Sequence, residues 1–269
     1  MSHPSVLLIG SGRIAYHLGH AFKRARVPIT GVVGRNKKAG EELSVALETG
    51  SFNLNDTLPT SSAMMICVND QAIAEVAKAL PRSNSVFIHT SGASSVDLLL
   101  PHEHRAAFWP IMTLSPGEPM DFTAVPIITD PNSALAEQLV AELGAAISTN
   151  VHSMPIEQRK LVHAAAAIST NFPLFLLQKA EGLLAQNGID PQLIMPSFSA
   201  MAAKALSIGA RDALTGPARR GDLATVYDHL ERLQADPDLY RAYALLSRMI
   251  LKAYDHPTDG IEDLQRDPR

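Results

Sequence analysis

Short apolar runs alternate with amphipathic stretches through the first half of the chain. "SVLLIG" (5–10), "ITGVVG" (29–34), "AMMICV" (63–68), "SVFIHT" (85–90), "RAAFWP" (105–110) and "VPIITD" (125–130) have the length and continuous hydrophobicity of strands buried on both faces. Between them, "GRIAYHLGHAFKRA" (12–25), residues Lys37 to Leu47, "QAIAEVAKAL" (71–80) and "SALAEQLVAELG" (133–144, with Asn132 as its cap) carry the helical period. Strands alternating with helices predict an α/β fold, a doubly wound, mostly parallel sheet over residues 1–152. The rhythm then changes. Residues 155–186 read as one long helix bent at Pro173, and 191–210, 222–234 and 237–254 supply three more. An all-helical domain over 153–255 is expected, followed by a polar, Asp- and Pro-rich tail (256–269) that reads as disordered.

Composition narrows the function classes. The chain has 269 residues, 46% hydrophobic and 19% charged, with a net charge of −4. That length suits about two domains. The acidic balance gives a nucleic-acid partner no electrostatic footprint. "VLLIG" is too short for a signal peptide or a membrane span, so a cytoplasmic protein with no membrane partner is expected. The single cysteine, Cys67, lies in an apolar run and reads as a buried, inert thiol. No metal site is expected.

The chemistry begins at "LLIGSGRIAYHL". Gly10, Ser11 and Gly12, followed by Arg13, Ile14 and Ala15, give G-x-G-x-x-A between the first strand and the first helix. Gly10 permits the turn, Gly12 lets backbone approach a pyrophosphate, and the helix N-terminus receives the negative charge. The bland alternative is a tight turn without a cofactor. An NAD site has an acid after the second strand, but this chain has Arg35 and Asn36, with Lys37 and Lys38. A guanidinium suits a 2′-phosphate, so NADP is favoured over NAD, against a merely solvated basic face. Val68 and Asn69, then Thr90 and Ser91, end strands at the same sheet edge and are further candidates for cofactor contact. His89 reads equally as a packed strand-end histidine.

In the helical half, "RKLVHAAAAISTN" (159–171) places Lys160, His163 and Asn171 around Ala164 and Ala167. At about 100° per residue, Asn171 falls about 20° and His163 about 60° from Lys160, so all three share one face. They are candidate catalytic residues, with Lys160 or His163 as proton donor and Asn171 holding an oxygen. Alternatively, Lys160 reaches solvent and the other two are satisfied by neighbours. In "ALTGPARRGD" (213–222), Asp222 can cap the following helix. Arg219 and Arg220 suit either a substrate carboxylate or phosphate, or surface pairing with Asp212, Asp222 or Glu231.

"GSGRIA", "FIHTSGA", "KLVHAAAAISTN" and "ALTGPARRGD" together resemble a group of Rossmann-like proteins with a helical C-terminal domain of unknown function. These are similar to the 6-phosphogluconate dehydrogenase-like enzymes, pyrroline-5-carboxylate reductase and the deazaflavin-dependent NADP reductases. The resemblance covers nearly the whole chain except the tail. It implies NADP binding, and it marks Thr215 and Arg220 as substrate-binding candidates. One departure stands out: relatives often have His-Pro after the sixth strand, whereas this chain has Trp109-Pro110, so no role of that histidine carries over. The leading expectation is an NADP-dependent oxidoreductase that moves a hydride to or from a carbonyl or imine carbon of a small molecule. The competing one is a dinucleotide-binding regulatory or scaffold protein without turnover. A homodimer through the helical half is also expected, because the apolar helix faces exceed what one copy needs.

Overall fold

The computed structural model describes residues 4–258; most of the expected tail, 259–269, lies outside the described residues. The chain divides into two compact units, residues 1–170 and 171–269. The sequence boundary at 152/153 thus differs from the contact boundary by one helix and one turn.

The first unit is built on an eight-stranded sheet. Its strands are β1 (Val6–Ile9), β2 (Ile29–Val33), β3 (Ser51–Phe52), β4 (Ala63–Ile66), β5 (Val86–His89), β6 (Arg105–Pro110), β7 (Ile127–Pro131) and β8 (Val151–Ser153). Their order is β3-β2-β1-β4-β5-β6-β7-β8. All pairs are parallel except β6 with β7. The two-residue β3 and three-residue β8 are too short to announce themselves in a hydropathy pattern.

Strand residues alternate strictly between two cores. Val6, Leu8, Met65, Ile88 and Phe108 face helices α1 (Arg13–Arg24), α2 (Lys37–Leu47) and α4 (Ala134–Ile147). Leu7, Ile9, Met64, Ile66 and Phe87 face α3 (Ile73–Ala79), which a short 3₁₀ turn over Asp70–Ala72 precedes. Burial on both faces is why the strands are continuously apolar rather than alternating. The cap of α4 corrects the sequence reading. Ser133, not Asn132, accepts from the Ala136 N–H. The Asn132 side chain is drawn away by Arg105 N–H at 2.7 Å and the Glu103 carbonyl at 2.9 Å.

The long helix expected over 155–186 is not regular. It runs as α5 (Ile156–Ala166), a π-helical turn over Ala167–Asn171, and α6 (Phe172–Gln186). Pro173 has no N–H to continue the i→i−4 ladder, and the wider turn absorbs the break. This run is the one among the described residues long and apolar enough, by length and composition, to cross a membrane.

In the second unit, α6 is followed by α7 (Met195–Ile208), the short α8 (Ala210–Ala213) and α9 (Pro217–Arg220), then α10 (Leu223–Arg232) and α11 (Pro237–Ala253). Its core is Ala218, Val226, Leu230, Leu233, Tyr240, Ala244 and Leu251. Asp222 caps α10, as its sequence position implied, accepting from Thr225 N–H at 3.1 Å and Thr225 Oγ at 2.7 Å. Those bonds hold its carboxyl below the usual range. Neither α6 nor α7 has a single buried residue.

Candidate functional site

Parallel strands bring their carboxyl ends to one edge, and there the register aligns Ile9, Val33, Ile66 and His89. Gly10 follows β1 with φ +119, and a Cβ there would lie 2.3 Å from the Cys67 carbonyl oxygen. Only glycine fits. Gly12 is the opposite case: a Cβ would meet nothing within 4 Å, so the space above it is open. Gly12 begins α1 without any side-chain cap, and no acid lies in the first turn. The first N–H groups of α1 are therefore left for an anion. Ser11 and Ile14 are half-buried, while Arg13 is exposed beside this opening. Val68 flanks Gly10 at 3.4 Å from the same Cβ position. A pyrophosphate fits this loop. Cys67 beneath it is fully buried, and burial pushes its thiol up to about 12, so it is inert.

Arg35 and Asn36 lie beyond β2. Asn36 caps α2 through Ala39 N–H at 3.2 Å. Lys37 and Lys38 each approach a glutamate of their own helix, Glu41 and Glu42, at 3.9 Å. Arg35 is exposed and forms no ion pair among the described residues, so its guanidinium is available.

The loop after β5 is held more tightly than its sequence suggests. The Ser91 hydroxyl donates to Asp70 at 2.6 Å and accepts from the N–H groups of Ala93 and Ser94. Its own N–H donates to His89 Nδ1 at 3.2 Å. The Ser91 side chain thus works within the protein, leaving half-buried Thr90 and exposed Asn69 as the more available groups of this edge. His89 is wholly buried; desolvation, then the nearby Arg159 charge, pushes its pKa down to about 4, so it is a neutral, packed histidine.

Gly92 lies under two rings. A Cβ there would fall 2.6 Å from Trp109 Cε2 and 2.8 Å from His163 Cδ2. Trp109 and His163 stand 5.4 Å apart, tilted by 52°. Trp109 is two residues past Ala107, the partner of His89, so the pair sits at the carboxyl edge of the sheet.

The three polar residues expected on one helix face are not equivalent. His163 meets this edge. Lys160 turns to Glu157 at 3.0 Å and remains half-exposed. Asn171 ends the π turn and belongs to the second unit, and the wider turn invalidates a count at 100° per residue. The face that α5 buries is marked instead by Arg159, 40° from His163 on the same wheel. The sequence reading missed Arg159, although its i, i+4 spacing to His163 was visible. Asp70 and Asp130, which complete the network, carried no sequence signal.

In the second unit, Thr215 lines an apolar cavity of about 350 Å³ with Leu176, Leu239, Tyr243 and Leu246. Arg219 stacks over Tyr254, 3.8 Å from the ring centroid, which is neither of the roles its sequence position suggested. Arg220 is exposed and without an ion pair among the described residues.

An open sheet, a glycine loop and an uncapped first helix define a Rossmann-type fold. Residues 2–115 match the Rossmann-like domain, and residues 125–250 match a domain of unknown function, DUF2520; the chain joins the two. Comparison with curated proteins gives no match. Among solved structures, a candidate NADP oxidoreductase from Bacteroides fragilis is 27% identical, with a TM-score of 0.84 over 93% of this chain and 99% of its own. A Thermotoga maritima protein is 20% identical, with a TM-score of 0.76 over 93% and 98%. An imine reductase from Myxococcus stipitatus, in complex with NADP+, shares the fold at 17% identity and a TM-score of 0.65, over 98% and 99%.

Proposed function

We propose that this protein is an NADP-dependent oxidoreductase acting on a carbonyl or imine carbon of a small molecule. The observation that carries the reading is the uncapped start of α1 over Gly10 and Gly12, at the sheet edge that also presents His163. The Bacteroides fragilis NADP oxidoreductase candidate and the NADP+-bound imine reductase support it. Bound NADP(H) would supply the hydride chemistry. The chain's own groups do the rest. The α1 N–H groups and Arg13 hold the pyrophosphate, and Arg35 holds the 2′-phosphate. His163, braced by Trp109, gives or takes the proton at the reacting oxygen or nitrogen. Lys160 is tethered to Glu157 on its own helix; in the second unit, exposed Arg220 suits an anionic group.

The test is a screen of small oxo-acids, imines and aldehydes for NADPH oxidation. With a substrate in hand, His163→Ala should lower turnover by about 10²–10⁴-fold while NADPH still binds. Lys160→Met and Asn171→Ala test the remaining polar residues of the run. Wild-type turnover in all three variants would remove these residues from the chemistry, and no turnover of any compound despite NADPH binding would favour a regulatory protein instead.

We also propose a homodimer through α6 and α7. Leu206 is 91% exposed and Leu193 68%, joined by Phe172, Leu174, Phe175 and Met201. Apolar patches of this extent mark interfaces. The charged residues Glu157, Arg159, Lys160, Lys179 and Glu181 in the long apolar run suit a bundle helix awaiting a second copy better than a bilayer span.

A further inference from the structure

Arg159 is the largest fully buried side chain of the described residues, at 0% exposure, and the single buried residue of α5. A guanidinium so placed costs several kcal/mol unless paired and hydrogen-bonded. One of its amino groups donates to Asp130 Oδ2 at 2.9 Å and the other to the Ser91 carbonyl at 2.8 Å; its Nε has no partner. Asp130 itself is 19% exposed. The fork therefore joins three elements: α5, the carboxylate of β7 and the loop after β5. One turn along the same face, His163 closes over Gly92 of that loop. From the other side the loop is fixed by Asp70 and His89 through Ser91.

If the pyrophosphate sits on α1 and a ribose lies beyond β2, the other nucleotide half runs over β4 and β5. The loop 90–95 borders that half. We infer that Arg159 is a positioning residue: it clamps the 90–95 loop to α5 and so shapes the site for the nicotinamide half and seats His163 beside it. The inference rests on the dinucleotide-binding reading. It assigns Arg159 no contact with the cofactor. A guanidinium is required because one planar group must serve a carboxylate and a carbonyl at once, which a lysine ammonium on its single point cannot do in the same geometry.

The test uses the full chain with Arg159→Met, Arg159→Lys and Asp130→Asn. Trp109 is the sole tryptophan and touches Gly92, so its emission reports the loop directly. Amide exchange of residues 91–95 is a second report, and neither needs a ligand. Binding is measured for NADPH and for two half-ligands, adenosine 2′,5′-bisphosphate and ADP. Shifted Trp109 emission, faster exchange at 91–95, and NADPH affinity lowered by about tenfold or more with half-ligand affinity intact would support the clamp. Unchanged emission, exchange and NADPH affinity in folded variants would overturn it. Equal losses for NADPH and half-ligands would overturn it too, because they mark general destabilisation. If Arg159→Met does not fold, Arg159→Lys and Asp130→Asn carry the same comparison. If the wild type binds no dinucleotide, the proposed function falls, and the emission and exchange data alone decide for or against the clamp.

Discussion

Gly92→Ala is the sharpest test of the packing at the sheet edge. The glycine is buried, and its φ is not in the left-handed region, so the backbone itself would accept alanine. The obstacle is space. A new methyl would meet Trp109 Cε2 at 2.6 Å, Trp109 Cδ2 at 2.7 Å and His163 Cδ2 at 2.8 Å, all shorter than an ordinary carbon contact of about 3.5–4.0 Å. Both rings must retreat by close to an ångström. Forcing one extra methylene into a packed site costs about 1–3 kcal/mol. For a unit of this size that lowers the melting temperature by roughly 2–12 °C. Trp109 emission should change in the folded variant, and turnover and NADPH affinity should both fall because Gly92 lies in the 90–95 loop, with half-ligand affinity intact since Gly10 and Gly12 are untouched. Thermal unfolding, emission spectra and calorimetric titration check the three parts. Wild-type stability together with wild-type emission would refute the contact between Gly92, Trp109 and His163, and with it the placement of His163 at this edge.

Arg35→Ala should erode a preference for NADPH over NADH by about 1.5–3 kcal/mol, read by calorimetry; equal affinities in the wild type would refute the 2′-phosphate role. His89 is held neutral with its pKa near 4, against 6.5 unfolded, so the unfolded state binds more protons between those values. Stability should therefore be complete above about pH 6.5 and fall toward pH 4, by on the order of 3 kcal/mol from this residue. His89→Asn should flatten that part of the stability profile, and an unchanged slope would assign the acid sensitivity elsewhere. Light scattering should give a dimer mass for the wild type and a monomer for Leu206→Asp. A wild-type monomer across a wide concentration range would reject the interface.

Much of the fold is local and so legible in the sequence. Continuous apolar runs of strand length and helices of period 3.6 dictate the doubly wound sheet, because each strand must bury two faces and each helix one. Gly10 and Gly12 announce the loop, Gly10 because its positive φ and close backbone approach demand glycine, Gly12 because a bare residue leaves the space above it open. Asp222 announces a cap because its residue type suits one. What the sequence could not show is set by distant partners. Asn132 looks like a cap until Arg105 and Glu103, about thirty residues earlier in the chain, take its side chain. Lys160, His163 and Asn171 share a face on an ideal helix, but Pro173 introduces a π turn and Glu157 draws Lys160 away. The residue that matters on that face, Arg159, is explained only by Ser91 and Asp130, which β7 and the loop after β5 bring to it. Periodicity reports which side of an element is apolar; only the tertiary arrangement decides which buried charge finds its counterpart, because that pairing depends on contacts far apart in the chain.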